Sequence, residues 1–381
     1  MQLIPLSAPD ITEAEVDAVI SVLRSNSLSL GPKLAEFEAA IASRHDVPHA
    51  IAVSSGTAAL HLAVRALGIG KGDEVIIPSF TFVAVANAVR YEGATPIFVD
   101  INPTSLNIDP VCVESAVTPH TKAIIAVHTF GIPADMAALT EIANRNNLRI
   151  IEDACEAIGG TYHGAPLGSI TDIGIFAFYP NKQITTGEGG TIITRDTKLA
   201  ARMRAMRNQG RYPSGDWLQH SELGFNYRLS ELACALGIVQ LGRLNSILAQ
   251  RAKVAKRYDS LLAGVEGIIL PPLQLPDCEI SWFVFVIQID STLPCGARDR
   301  VMRSLLSQGI SCSRYFAPIH LQPAYESLAY SQNLKLPVTE QVAQSTLALP
   351  FFNRLSDSDA TRVVIALTNA LKLETNQPKI R

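Results

Sequence analysis

The chain opens with apolar positions at helical spacing. Val16, Val19, Ile20 and Leu23 follow Thr12-Glu-Ala-Glu15, a pattern in which the Thr and Glu side chains each satisfy a free backbone N–H at a helix start. After a polar loop over 25–32, Leu34, Phe37 and Ile41 mark a second amphipathic helix. From about residue 50 to 195 the pattern becomes short, continuously apolar runs at 51–53, 74–77, 96–99, 123–127, 149–151, 173–178 and 191–194. Helical patterns separate several of them, with Leu60, Val64 and Leu67 in one and Met136, Leu139 and Ile142 in another. Runs apolar at every position belong to strands covered on both faces. Their alternation with helices predicts an α/β fold with a mostly parallel sheet.

Beyond residue 200 the character changes. A helix is expected over 199–208, then a long polar and aromatic loop over 210–227. Loops of that length inside compact domains are usually functional. Ser230 caps a helix to about residue 243, and a long helix runs to about 262. Pro271, Pro272 and Pro276 mark a linker. Strands are expected at 282–289 and 310–316, with helices at 299–307 and 357–373. The expected organisation is a large domain over 1–245, which includes the N-terminal helices, and a smaller C-terminal α/β domain over 246–381.

Composition narrows the function classes. The 381 residues suffice for a large core and about two domains, with 48% hydrophobic and 18% charged residues. A net charge of −3 supplies no general attraction to nucleic acid or an anionic membrane. No apolar run approaches the roughly 18 residues of a membrane helix. Cys112, Cys155, Cys234, Cys278, Cys295 and Cys312 are scattered and form no C-x-x-C pair, which suits reduced thiols and a cytoplasmic location. No histidine spacing suggests a metal site.

The candidate chemistry sits just past strand ends, where ligands gather in such sheets. The run from Ile173 stops at Tyr179-Pro-Asn-Lys182, and the loop Thr185-Thr-Gly-Glu-Gly-Gly190 follows with little bulk. A lysine in a partly apolar pocket becomes a nucleophile toward an aldehyde. Asp153 ends another apolar run. Glu152 points to the opposite side of that strand, so only one of the two can serve the site. Ser54-Ser-Gly-Thr57 joins a strand to a helix and offers free N–H groups at the positive end of a helix dipole. One of Phe80 and Phe82 is placed to stack on a flat ring. Lysine for a Schiff base, acid for a pyridinium nitrogen and turn for a phosphate are the parts that hold pyridoxal 5'-phosphate.

In order, Gly31-Pro-Lys-Leu-Ala-Glu-Phe-Glu38, Ser54-Ser-Gly-Thr57, Gly72-Asp-Glu-Val-Ile-Ile-Pro-Ser-Phe-Thr-Phe82, Ile151-Glu-Asp-Ala154, Tyr179-Pro-Asn-Lys182, Gly187-Glu-Gly-Gly190 and Gly224-Phe-Asn-Tyr-Arg-Leu-Ser230 resemble the DegT/DnrJ/EryC1/StrS sugar aminotransferases. These are fold-type-I, aspartate-aminotransferase-like enzymes dependent on pyridoxal phosphate. The resemblance makes Lys182 the Schiff-base lysine and proton shuttle, Asp153 the pyridinium partner, Gly56 and Thr57 the phosphate loop and Phe82 the stacking aromatic. It implies that Asn226 reaches the phosphate of a neighbouring subunit, hence a homodimer with shared active sites. Two positions depart from the family's commoner pattern. Ala177 stands where a phosphate-binding Ser is frequent, and Glu156 stands where Gln or His lies near the cofactor's phenolic oxygen.

The resemblance further implies glutamate as amino donor and a nucleotide-linked keto-sugar as acceptor. The stretch around Lys182 is most similar to the perosamine-synthase branch, which acts on a 4-keto-6-deoxyhexose. Arg228 and His320 are candidates to meet diphosphate charge, and the segments 210–227 and 315–320 to cover the sugar and nucleotide. A sugar dehydratase of the same family carries histidine in place of the lysine, so Lys182 argues against that alternative. The intact pair Lys182 and Asp153 argues against a non-catalytic regulatory protein.

Overall fold

The computed structural model describes residues 3–212 and 218–375; residues 213–217 of the long loop, Pro213 and Trp217 among them, lie outside the described residues. Helices α1 (Glu13–Leu23) and α2 (Pro32–Arg44) precede strand β1 (His49–Val53). There follow α3 (Gly56–Ala66), β2 (Glu74–Pro78), α4 (Ala84–Tyr91), β3 (Thr95–Val99), α5 (Pro110–Ala116), β4 (Thr121–Val127), α6 (Met136–Asn146) and β5 (Arg149–Asp153). A short hairpin of β6 (Thr161–Tyr162) and β7 (Ala165–Pro166) leads to β8 (Ile173–Ala177), β9 (Gly190–Thr194), α7 (Thr197–Arg207), α8 (Glu231–Gly242) and α9 (Leu244–Leu262). The C-terminal part adds β10 (Ile268–Ile269), β11 (Cys278–Glu279), β12 (Phe285–Ile289), α10 (Ala297–Ser307), α11 (Glu326–Ser331), α12 (Pro337–Ser345), β13 (Thr346–Leu349) and α13 (Asp357–Thr375).

Local signals explain several boundaries. The Thr12 backbone N–H donates to the Glu15 carboxylate at 2.8 Å, closing the expected reciprocal cap of α1. Ser230 Oγ accepts from the Ala233 N–H at 3.2 Å and starts α8.

Seven strands form the main sheet in the order β1-β9-β8-β5-β4-β2-β3. The pairs from β8 through β3 are parallel, as the apolar runs predicted. Strand β9 is the exception, antiparallel to both β8 and β1. Parallel neighbours need a crossover of a dozen or more residues, usually a helix, whereas 178–189 simply turns back. That turn carries Lys182. Because β9 reverses, the C-terminal ends of β1, β5 and β8 and the start of β9 share one edge.

Helices cover both faces. Residues of α3, α4 and α7 pack on one side of the sheet, and residues of α2, α6 and α8 contribute to the apolar clusters on the other. A second apolar core gathers residues of α9, β12, α10, β13 and α13 together with Ile4. Helix α9 belongs to both, with Leu244 and Ile247 in the first and Val254, Tyr258 and Leu262 in the second. The strand expected at 310–316 does not form. Only Ser313 bridges Ala348 beside β13, while Ile310 bridges Ile4, so the segment turns away after one contact with the sheet. No single helix among the described residues is long and apolar enough to cross a membrane.

Candidate active site

A cavity of about 560 Å³ opens at the shared strand edge. Its lining includes Gly56, Thr57, Phe82, Asp153, Glu156 and Lys182, six of the residues singled out from the sequence. A larger groove of about 770 Å³ beside Trp282 and Gln288 contains no lysine and none of these six.

Strand β5 delivers Asp153. The side chain is 6% exposed, and its Oδ1 accepts the Cys155 N–H at 3.1 Å. Lys182 sits in a turn closed by its own N–H on the Tyr179 carbonyl at 2.9 Å. Its Nζ lies 3.5 Å from Glu156 Oε1 and 4.1 Å from the centroid of the Phe283 ring. Glu156 Oε2 accepts the Phe130 N–H at 2.8 Å. Burial pushes the Glu156 carboxyl up, while Lys182 and that N–H pull the other way. The lysine loop is tied to the C-terminal part through Gln183, whose Nε2 donates to the Glu156 carbonyl at 2.6 Å and to Ser281 Oγ at 2.8 Å.

The turn into α3 forms the second wall. Ser55 Oγ accepts the Ala58 N–H at 3.1 Å. The N–H groups of Gly56 and Thr57 belong to the first helical turn, which has no intrahelical acceptors. Backbone approach is close here: a Cβ on Gly56 would lie 2.8 Å from Ala177 Cβ, and one on Gly190 would lie 2.6 Å from the Ser55 carbonyl oxygen. The glycines thus leave a shallow cradle at a helix N-terminus, suited to a phosphate. Phe82 is 62% exposed and borders the cavity, whereas Phe80 is fully buried in the core.

Arg228 and His320 are not brought to this cavity, and Asn226, expected at a neighbouring subunit's phosphate, lies outside its lining as well. Asn226 is exposed and pairs with Asn208 in an isolated bridge. Arg228 donates to Asn208 Oδ1 at 2.9 Å. His320 is 3% exposed, with Nδ1 2.7 Å from Ser79 Oγ and Nε2 3.4 Å from Glu340, so its ring is engaged inside the protein rather than turned to a diphosphate. His128 is equally internal. Its Nδ1 accepts the Ala134 N–H, which leaves Nε2 to donate to Glu152 at 3.3 Å.

The sequence reading singles out Tyr315 and Phe316 as part of a covering segment but not Phe283, Ser313 or Arg314. Phe283, Ser313, Arg314, Tyr315 and Phe316 come from the C-terminal part and complete the lining. Only the aromatic run 315–316 carried a sequence signal. Burial and the Glu156 charge push the Tyr315 hydroxyl up to about 12, against a hydrogen bond to Asn181.

Comparison with known proteins agrees with this geometry. The model of the DegT/DnrJ/EryC1/StrS aminotransferase family matches residues 9–368. GDP-perosamine synthase of Caulobacter vibrioides is 40% identical over 370 residues, covering 97% of this chain and 98% of that one. The dTDP-3-amino-3,4,6-trideoxy-alpha-D-glucose transaminase of Streptomyces venezuelae is 41% identical over 357 residues, 93% of this chain and 91% of that one. The solved structure of S. venezuelae DesV in complex with a ketimine intermediate superposes with a TM-score of 0.89 at 38% identity, covering 97% of this chain and 98% of that one. The chain belongs to the DegT/DnrJ/EryC1/StrS aminotransferase family, whose members depend on pyridoxal phosphate. The cradle, acid and lysine of this cavity fit that cofactor.

Proposed function

From this membership we propose that the chain, a sugar aminotransferase, moves the amino group of glutamate to the keto carbon of a nucleotide-linked 4-keto-6-deoxyhexose. The meeting of Lys182, Asp153 and the Gly56–Thr57 turn in one cavity carries the reading. When bound, pyridoxal phosphate supplies an aldehyde that accepts the amino group and a ring that takes up electron density. Lys182 Nζ would be the attachment point and, as a free amine, would carry the proton from the donor's α-carbon to the cofactor's aldehyde carbon. The Asp153 carboxylate keeps a ring nitrogen protonated, and the first turn of α3 holds the phosphate. Phe82, exposed at the cavity rim, would be the residue to stack on the ring. Ala177 offers no hydroxyl to the phosphate, so the backbone N–H groups bear more of that contact.

The likeness to GDP-perosamine synthase supports a nucleotide-linked deoxysugar substrate and the perosamine-like position. Asn226 supports a homodimer with shared sites: it is exposed and lies outside its own chain's cavity, where it is free to reach a second copy.

Glutamate added to cofactor-loaded protein should convert its absorbance to that of the pyridoxamine form, and Lys182→Ala should abolish the lysine-bound absorbance. Persistence of that absorbance in the variant defeats the lysine assignment. Absence of conversion in the wild type defeats glutamate-dependent transfer. Mixing inactive Lys182→Ala and Asn226→Ala subunits should restore part of the activity if sites are shared; no recovery defeats sharing.

A further inference from the structure

The charges around the cavity leave one cation without a catalytic task. Among the described residues lining it, Lys182 and Arg314 are the cations, against Asp153, Glu156 and Glu188. Lys182 faces Glu156 and is committed to the cofactor in the proposed reaction. Arg314 enters from the segment that follows the single bridge of Ser313 to Ala348, a different wall from the α3 turn. Its side chain is 53% exposed, and its Nη2 lies 2.9 Å from Asp299 Oδ2 on the first turn of α10. Asp299 is also held by Arg298, whose own side chain is 8% exposed and bonded to the carbonyls of Ala343 and Thr346. Asp299 is therefore held by two arginines, while the Arg314 side chain is half exposed. An exposed pair of this kind is worth little and exchanges partners readily.

We infer that Arg314 is the anion anchor of the incoming substrate, parked on Asp299 when the cavity holds no substrate and released to a carboxylate or diphosphate when one enters. This rests on the transaminase reading, in which both substrates are anionic and enter the same cavity in turn. A planar guanidinium matches either group with two parallel N–H···O bonds. Glu188 and Asp153, the other charged groups of the lining besides Glu156 and Lys182, are anions and offer a carboxylate or diphosphate no partner. Asp299 thus acts as a competitor, and its removal has the opposite sign to removal of Arg314.

Equilibrium titration of cofactor-loaded protein with glutarate, an unreactive dicarboxylate, and separately with guanosine diphosphate tests this without turnover. Arg314→Ala should weaken at least one of them by about tenfold or more. A loss confined to glutarate assigns the donor's carboxylate to Arg314; a loss confined to the nucleotide assigns the diphosphate. Asp299→Asn should tighten the same ligand severalfold, an effect that a merely structural Asp299 would not produce. Unchanged affinities in Arg314→Ala overturn the inference, and so does weakening rather than tightening in Asp299→Asn. These titrations read out independently of amino transfer. A wild type that binds glutarate but never converts its cofactor with glutamate loses the glutamate reading and keeps the anchor.

Discussion

Glu152 and Asp153 are neighbours in β5 and face opposite sides of the strand. Glu152 is fully buried, and its carboxylate accepts the N–H groups of Gly168 at 2.7 Å, Ile170 at 2.8 Å and Thr171 at 2.7 Å, with the His128 ring at 3.3 Å. Asp153 faces the cavity. One acid holds the frame and the other meets the ligand. Glu152→Ala leaves several buried donors without an acceptor and should cost about 3 kcal/mol or more in urea unfolding. Asp153→Asn should change stability by less than about 1 kcal/mol yet lower turnover by about tenfold or more. Similar stability losses in the two variants would contradict this division.

Gly56 and Ala177 define the depth of the cradle. A methyl on Gly56 would lie 2.8 Å from Ala177 Cβ and 3.3 Å from Cys155 Sγ. Gly56→Ala must therefore push the start of α3 away from the end of β8. Such overpacking costs about 1–3 kcal/mol, and part of it should appear as weaker cofactor affinity, roughly tenfold in an absorbance titration. Unchanged affinity would mean that the phosphate is held elsewhere.

The parts of the site that were legible in the sequence share one property. Asp153, Lys182, Gly56 and Thr57 each lie within a few residues of the end of a continuously apolar run, and strands running in one direction bring such ends to one edge. The alternation of side chains along a strand also separated Glu152 from Asp153. What escaped depends on contacts between distant segments. Arg314 and Phe283 reach the cavity because the C-terminal part packs on the first, through Gln183 with Ser281 and the stacked rings of Phe130 and Phe316. The internal contact of His320 escaped for the same reason, since its partner Ser79 lies 241 positions away. The reversal at β9 was readable in principle, because no helical pattern separates 178 from 191.

His45 links stability to pH away from the site. It follows α2 with 1% exposure, its Nδ1 2.9 Å from the Ile41 carbonyl and its ring 4.5 Å from Phe176. Burial lowers its pKa from 6.5 to about 4, against the pull of that carbonyl. The unfolded chain therefore binds a proton at this position at a higher pH than the folded chain does. The contribution of a neutral His45 is fully present above pH 6.5 and is lost as pH falls toward 4, by about 3 kcal/mol in all. His45→Leu removes that proton uptake, so its melting temperature should fall less steeply between pH 6.5 and 4 than that of the wild type. Parallel curves over this range would place the acid sensitivity in other groups.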